Sequence, residues 1–265
     1  MPRAGMLGDP KPYSFFGTFG GLSFWPGGLT LLAAAPGVGK TSWLLRMIHE
    51  AAGADFPAAL GCYEHTAEEL KFRLRRQAEA VVAGPHGIAS QPTVEACLAR
   101  GSQAVLLALS DQEDTIRAVE EMLLMDYGFP ERGTALLALD YLQRAPVVGL
   151  AGMIPEERRG GEASAVLRDL ARRRGWAVIA ACALRADGFV GQGELSDLLG
   201  DERVAYEADR VLLLRREGNP QDCGCVTISA WTLKDRTGPQ RSFVIEFWGE
   251  RFYPSVEANG HGRGH

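Results

Sequence analysis

Ala34-Ala35-Pro36-Gly37-Val38-Gly39-Lys40-Thr41 joins a short apolar run, residues 29–34, to a segment in which apolar residues recur at helical spacing. Glycines between a strand and a helix let successive backbone N–H groups turn towards phosphate oxygens, and the helix start adds a partial positive charge. The stretch therefore predicts a phosphate-binding loop. The strict motif opens with glycine where this chain has Ala34, and alanine is tolerated there if the backbone keeps a negative φ angle.

The loop and the start of the helix supply the residues expected to bind a nucleotide. Lys40 is expected to neutralise the β- and γ-phosphates, and the Thr41 hydroxyl to ligate Mg²⁺. Such a site needs a further carboxylate at the end of a neighbouring buried strand. Asp140 follows the apolar run 136–139 and fits that place, with a capping role at the strand end as the alternative. The full expected nucleotide-binding set in this segment is Ala35, Pro36, Gly37, Val38, Gly39, Lys40, Thr41 and Ser42.

Glu64 has a comparable place in the sequence. It stands between the apolar run 57–63 and Thr66-Ala67-Glu68-Glu69, which has the pattern of a helix-capping box. Transfer of a phosphoryl group to water needs a group that orients or activates the water. The spacing places Glu64 at the same edge of the sheet as Lys40 and Asp140. From spacing alone, an exposed loop acid is an equal alternative.

Apolar runs and helical patterns alternate along most of the chain. Strands are predicted at 29–34, 57–63, 134–139, 177–182 and 211–214, and helices from 41, from 66, over 114–127 and over 162–174. This alternation predicts an α/β fold with a mainly parallel central sheet covered by helices on both faces. Residues 226–232 and 242–248 flank a Gly-Pro turn and predict a C-terminal antiparallel hairpin. Residues 84–110 show no clear pattern.

The composition indicates a globular protein. The 265 residues include 28 Lys and Arg against 33 Asp and Glu, a formal net charge of −5, and 46% of them are apolar. This balance allows a real core and excludes a passive nucleic-acid coat. There is neither an apolar run of about 18–20 residues nor a secretory signal, so we expect a cytoplasmic protein with no membrane segment. We expect a lead-in segment at 1–28, one domain at 29–253 and a disordered tail at 254–265.

Four motifs, in the same order, resemble those of the RecA-like ATPase core of the DnaB-type replicative helicases, over about residues 17–253. The family's A-A-R-P-x-x-G-K-T loop corresponds to residues 33–41, and its S-L-E-M segment to 62–65. Its D-Y-L-Q segment corresponds to 140–143, and its K-x-R-x-G-P hairpin to 234–239. The resemblance implies a RecA-like P-loop NTPase fold for residues 29–253 and hydrolysis of ATP with Mg²⁺. It also implies a homo-oligomer, expected to be a hexamer, that acts on single-stranded DNA.

The resemblance further implies roles for individual residues. Glu64 takes the place of the family's catalytic glutamate, and Gln143 falls in the D-Y-L-Q segment and is assigned to the nucleotide site. Lys234 and Arg236 correspond to the two basic residues that reach the γ-phosphate of ATP held by the next subunit. A guanidinium on a rigid hairpin suits this role because it stabilises charge on the transferring phosphoryl group. Without the resemblance, a solvated hairpin rim is the simpler interpretation of both residues.

The chain departs from the family pattern at three places. Ala35 replaces an arginine, Ala183 replaces the glutamine of the family's S-Q-L segment, and residues 197–200 lack its L-R-E-S. The two loops expected to face DNA, 147–161 and 185–200, have few basic residues for a strand-tracking groove. A DNA motor is the first hypothesis. The alternatives are a RecA-superfamily ATPase without unwinding activity, such as an annealing or recombination accessory or a KaiC-like regulator, and a non-catalytic nucleotide-binding module.

Overall fold

A nine-stranded sheet forms the centre of the part of the chain that the computed structural model describes, residues 13–14, 23–84, 86–149, 152–189, 193–218 and 224–255. Its strands are β1 Leu29–Ala34, β2 Ala58–Cys62, β3 Val105–Ala108, β4 Leu136–Asp140, β5 Ala177–Ala183, β6 Arg210–Glu217, β7 Cys225–Asp235, β8 Ser242–Trp248 and β9 Tyr253–Ser255. Their order across the sheet is β9-β8-β7-β6-β1-β5-β4-β2-β3. The strands from β6 to β3 are parallel, and β7, β8 and β9 extend the sheet in antiparallel fashion. The predicted α/β fold with a C-terminal antiparallel hairpin is confirmed.

The central parallel strands are buried on both faces. Every residue of β1, β2 and β4 is buried, which explains why these strands are continuous apolar runs instead of alternating patterns. Side chains still alternate between the two faces. Leu31 and Ala33 of β1 belong to the core on one face, and Leu32 and Ala34 to the core on the other.

Helices cover both faces of the sheet. The six helices in the described ranges are α1 Lys40–Gly53, α2 Ala67–Ala83, α3 Gln91–Arg100, α4 Ile116–Met125, α5 Glu156–Arg174 and α6 Arg203–Glu207. Residues of α1 and α2 share the core of Leu32, and residues of α4 and α5 share the core of Leu31. α3 packs against α2, and the short α6 packs against α5. The sheet therefore lies between two layers of helices, and the loops that connect strands to helices lie at the ends of the strands.

Residues 84–110 contain two elements that the sequence pattern does not reveal, α3 and the edge strand β3. In α3 only Val94 and Cys97 are buried, and in β3 only Leu107 is buried. An element that buries so few side chains needs no regular apolar repeat, and it is the repeat that makes an element recognisable in sequence. The edge position of β3 explains its weak signal.

The start of α5 also differs from the prediction. The helix begins at Glu156, six residues before the predicted start at 162. Its first turns contain charged residues and the pair Gly160-Gly161, and glycine disfavours a helix by about 1 kcal/mol relative to alanine. The later part of the loop expected at 147–161 is therefore helical, which corrects that expectation.

The sheet extends beyond the limits expected from the sequence. β6 ends at Glu217, three residues past the predicted 214, and β9 reaches Ser255, two residues past 253. Within the expected lead-in segment, Tyr13–Ser14 pairs with Ser23–Phe24. Most of that segment, and the tail after Ser255, lie outside the described residues. None of the helices in the described ranges combines the length and apolar character needed to cross a bilayer.

Candidate functional site

The carboxyl ends of three parallel strands meet at one edge of the sheet. β1 leads into the predicted phosphate-binding loop and α1, β2 ends two residues before Glu64, and β4 ends at Asp140. The strand order places β4 between β2 and β5, with β1 beyond β5. Ligands bind at this edge in open parallel sheets. The structure thus brings Lys40, Thr41, Glu64 and Asp140 to the same edge, as the sequence predicts.

The backbone of the loop depends on two glycines. Gly37 has a φ angle of 76° and Gly39 a φ angle of 99°, a region that other residues rarely adopt. Gly39 is also the N-cap of α1, and no side chain caps the helix there. The N–H groups of the first turn are therefore available to phosphate oxygens.

Lys40 lies folded against its own loop. Its Nζ donates hydrogen bonds to the carbonyl oxygens of Ala34 at 3.0 Å and Ala35 at 3.2 Å. Burial lowers the pKa of Lys40, while the carboxylates of Asp140 and Glu64 act in the opposite direction. The ammonium group is thus held against the backbone at the start of the loop.

Thr41 and Asp140, 99 positions apart in sequence, form a hydrogen bond at the end of β4. The Thr41 hydroxyl donates to Asp140 Oδ2 at 2.6 Å, and both side chains are buried. Asp140 Oδ1 is buried and has no hydrogen-bond partner among the described residues. Burial raises the pKa of Asp140. The hydrogen bond from Thr41 opposes this rise, and so does the positive charge of Lys40.

The oxygen atoms of this pair fit Mg²⁺. A hydroxyl and a carboxylate are hard donors of the kind that Mg²⁺ prefers, and a buried carboxylate oxygen without a partner requires a donor or a cation. The neighbouring Cys62 thiol lies 3.7 Å from Asp140 Oδ2. Burial and the Asp140 charge raise the pKa of Cys62 to about 12, so the thiol is neutral and does not compete as a thiolate ligand.

Glu64 lies beside the loop and is exposed. Its charge acts on the pKa of both Lys40 and Asp140, raising each. The predicted capping box fixes the chain just after it: Glu69 N donates to Thr66 Oγ1 at 3.2 Å, and Thr66 N donates to the Glu69 carboxylate at 2.8 Å. An exposed acid held near a half-buried cation and a buried carboxylate is suited to contact a water molecule at the edge of the site.

Gln143 is buried, and both ends of its amide are bonded to the protein. Nε2 donates to the Leu199 carbonyl oxygen at 2.8 Å and contacts Cys182 Sγ at 3.1 Å, and Oε1 accepts from Ala183 N at 3.1 Å. A direct contact between Gln143 and a nucleotide would require these bonds to break. The amide links the end of β5 to the loop that follows it, at the position where Ala183 has no polar side chain. Gln143 is 40 positions from Ala183 and 56 from Leu199, so patterns of neighbouring residues do not predict these hydrogen bonds.

Lys234 and Arg236 lie away from the other site residues of the same chain. β7 runs antiparallel to β6, so that Lys234 pairs with Val211 near the start of β6. Leu214, three residues further along β6, is the residue that pairs with Ala34 at the start of the loop. Three strand positions span about 10 Å, and the chain continues from Lys234 to Arg236 in the direction away from the loop. The structure therefore does not join this basic pair to Lys40 within one chain.

A cavity of about 170 Å³ lies beside the loop. Its walls include Ala35 and Val38 of the loop, Leu184 after β5, and Leu213 and Arg216 of β6. These residues come from separate segments of the chain, so their approach has no signal in the sequence. The cavity extends the candidate site towards β6. Ala35, which lines it, has a shorter side chain than the arginine found at this position in the helicase family that the sequence resembles.

Comparisons with known proteins agree with this geometry. Residues 18–252 match the family model described as the DnaB-like helicase C-terminal domain. One solved structure, described as an ATPase domain, has a TM-score of 0.72 and 19% identity, over 88% of this chain and 86% of that chain. A DnaB-like replicative helicase, whose structure was described with its interactions with primase, has a TM-score of 0.71 and 19% identity, over 88% of this chain and 59% of that one. At this identity the two structures show a common fold. No curated protein sequence matches the chain.

We expect the substitution Gly39→Ala to weaken nucleotide binding and stability more than Gly37→Ala does. Both place alanine at a positive φ angle, at a cost on the order of 1–3 kcal/mol each. Only a Cβ at position 39 also meets another group, the Phe247 ring at 2.9 Å, because a Cβ at 37 has nothing within 4 Å. Urea unfolding and titration with a fluorescent ATP analogue measure the two effects. Equal losses in both variants would contradict the packing of β8 against the loop.

Proposed function

The chain belongs to the DnaB-like helicase C-terminal domain family and is therefore an ATP hydrolase, and from this we propose that it is the motor of a homo-oligomer that uses Mg·ATP to act on single-stranded DNA. The observation that supports this most is the hydrogen bond between Thr41 and Asp140 beside the half-buried ammonium group of Lys40. These groups are the parts that a P-loop ATPase needs for the phosphates and for the metal ion.

ATP is held mainly by the loop and by Lys40. The phosphate oxygens replace the carbonyl oxygens of Ala34 and Ala35 as partners of Lys40 Nζ, and the uncapped N–H groups at the start of α1 bind the same phosphates. The remaining residues of the proposed binding set in the loop and the first turn of α1 are Pro36, Gly37, Val38, Gly39 and Ser42. Gln143, in the turn after β4, completes the set, and it would contact ATP only after its hydrogen bonds to Ala183 and Leu199 break.

Thr41 and Asp140 are the proposed ligands of Mg²⁺. When bound, Mg²⁺ neutralises charge on the phosphate oxygens. Asp140 offers the oxygen Oδ1 that has no partner among the described residues, and the Thr41 hydroxyl is already directed to the same carboxylate. A cation at this position also favours the ionised form of Asp140, which burial alone disfavours.

Glu64 is the proposed group that orients and activates the attacking water. It is exposed at the site edge, where a water molecule reaches it, and its charge acts on both Lys40 and Asp140. The carboxylate takes up a proton from the water as the water oxygen bonds to the γ-phosphorus, the bond from that phosphorus to the β,γ-bridging oxygen breaks, and ADP and inorganic phosphate are the products. Lys40 stabilises charge on the phosphoryl oxygens during this transfer.

Lys234 and Arg236 are proposed to act on the ATP of an adjoining subunit. Lys234 pairs near the start of β6, about 10 Å along the strand from the residue beside Ala34, and Arg236 lies further away, which supports a role outside their own chain's loop. A neighbour that places its loop against this region receives both cations at its γ-phosphate. This arrangement requires a homo-oligomer, which we propose to be a hexameric ring in the cytoplasm.

Single-stranded DNA is the proposed partner of the segments that follow β4 and β5, 147–161 and 185–200. Both segments follow, in sequence, strands whose carboxyl ends lie at the edge of the phosphate-binding loop. One observation favours the second candidate, an ATPase of this fold without unwinding activity. The guanidinium of Arg185 is bonded to the carbonyl oxygens of Leu198 at 3.2 Å and Gly200 at 2.5 Å, which reduces its availability to phosphates of DNA.

The response of ATP hydrolysis to single-stranded DNA distinguishes these functions. We expect the rate of phosphate release to rise when single-stranded DNA is added at low salt, because electrostatic contacts to the DNA backbone are strongest there. DNA binding without directional unwinding would support the second candidate. Bound ATP with no phosphate release over hours would instead support a non-catalytic nucleotide-binding module.

We expect Glu64→Gln to bind ATP normally and to hydrolyse it roughly 10²–10⁴-fold more slowly, because the amide does not accept a proton from water. Glu68→Gln is the matched control, since Glu68 is a glutamate four residues further along, in the first turn of α2. Single-turnover phosphate release and nucleotide titration separate the two steps. Unchanged turnover in Glu64→Gln would remove Glu64 from the proposed role.

We expect Arg236→Ala to reduce hydrolysis by roughly 10³-fold or more, while ATP binding at the Lys40 loop is retained. Mixing Arg236→Ala with Lys40→Ala subunits should restore part of the rate, because some interfaces then combine an intact loop with an intact Arg236. Arg241→Ala, a second exposed arginine of the same hairpin, is the control. Absence of recovery in the mixture would show that the site is complete within one chain.

A further inference from the structure

The carboxyl end of α6 holds both proposed trans-acting cations. Lys234 Nζ donates hydrogen bonds to the carbonyl oxygens of Ala205 at 2.6 Å and Tyr206 at 3.1 Å. Arg236 Nη2 donates to the same Tyr206 carbonyl oxygen at 3.1 Å. Two cations that belong to a different element of the chain thus share one acceptor at the end of a short helix.

The ring of Tyr206 adds a second contact to Arg236. The guanidinium carbon lies 5.8 Å from the centroid of the ring, within the range of a cation–π interaction. Tyr206 is 70% exposed and contributes nothing to either core. The exposed ring is therefore not explained by packing in either core, and its contact with Arg236 lies on the surface.

α6, the helix that carries Tyr206, packs closely against α5. Val204 is fully buried and fits against Gly160 of α5 and Gly200, where an added Cβ would approach it to 3.2 Å and 2.8 Å. Arg203 forms two hydrogen bonds with the Glu162 carboxylate of α5, at 2.5 Å and 3.1 Å. The position of Tyr206 is thus fixed relative to α5.

Asp209 is a second anchor of Arg236. Arg236 N donates to the Asp209 carbonyl oxygen at 2.9 Å, and its guanidinium lies 3.9 Å from Asp209 Oδ1. The Asp209 carboxylate is itself held by Arg168 and by the backbone N–H of Leu29 at 2.9 Å. Arg236 is therefore held by both Asp209 and Tyr206, while its side chain stays partly exposed.

We propose that Tyr206 is a positioning residue for ATP hydrolysis in the adjoining subunit, because its ring and the end of α6 hold Arg236 and Lys234 in the orientation that the neighbour's γ-phosphate requires. The inference rests on the proposed sharing of the site between subunits. Flexible cationic side chains lose conformational freedom when they bind a phosphate, and cations that are already ordered stabilise the transition state with less reorganisation. Tyr206 itself does not contact the reacting atoms.

Steady-state kinetics of Tyr206 variants test the inference. We expect Tyr206→Ala to lower kcat by about 3–10-fold with little change in the KM for ATP, the size expected from loss of one cation–π contact. Tyr206→Phe keeps the ring face and should restore most of kcat. Tyr127→Ala removes another exposed tyrosine, in the turn after α4, and serves as the matched control for surface truncation.

Mixed oligomers test on which side of the shared site Tyr206 acts. Tyr206→Ala mixed with Lys40→Ala should recover activity, because each subunit supplies the part that the other lacks. Tyr206→Ala mixed with Arg236→Ala should show no recovery, because both subunits are defective on the same side.

Three results would overturn the inference. A raised KM with unchanged kcat in Tyr206→Ala would make the ring a nucleotide contact instead. A Tyr206→Ala rate equal to that of Tyr127→Ala would remove Tyr206 from hydrolysis, while recovery in the mixture of Lys40→Ala and Arg236→Ala would leave the shared site intact. Absence of recovery in that reference mixture would overturn the shared site and this inference together.

Discussion

A carboxylate buried at the end of a central strand is the constraint on which the site depends. Asp140 is almost fully buried, and burial of a charge is costly unless partners compensate for it. The Thr41 hydroxyl supplies one partner, which fixes the start of α1 against β4. One carboxylate oxygen is left without a partner among the described residues, so the fold keeps an unused acceptor next to the loop. The pairing of helix, loop and strand follows from this single compensation.

The reversal of strand direction after β6 divides the functional groups between two edges of the sheet. The parallel strands all deliver their following residues to the edge of the phosphate-binding loop, whereas β7 runs back and delivers Lys234 and Arg236 to the opposite edge. The same C-terminal strands also support the loop of their own chain, since Phe247 of β8 packs beneath Gly39. The C-terminal strands thus support the loop within the chain and carry the two cations that we propose to act on the site of a neighbouring subunit.

The sequence predicted those features that depend on local pattern. The loop, the buried strands before Glu64 and Asp140 and the capping box of α2 are contiguous signals, and the predicted fold class and family are confirmed. α3 and β3 were missed because they bury few side chains. The hydrogen bonds of Gln143 and the packing of Val204 in α6 against Gly160 join residues far apart in sequence. A pattern of neighbouring residues does not encode such contacts. The chemical roles of the site residues stay predictions.

The folded-back position of Lys40 gives the loop a preference among ligands. Its ammonium group already has two peptide oxygens as partners, so an incoming molecule must offer stronger acceptors to displace them. Charged phosphate oxygens do so, because hydrogen bonds to ionised acceptors are about twice as strong as those to neutral ones. An uncharged nucleoside gains nothing from this exchange. The contacts of Lys40 within a single chain therefore favour polyphosphates over uncharged nucleosides as ligands of the proposed site.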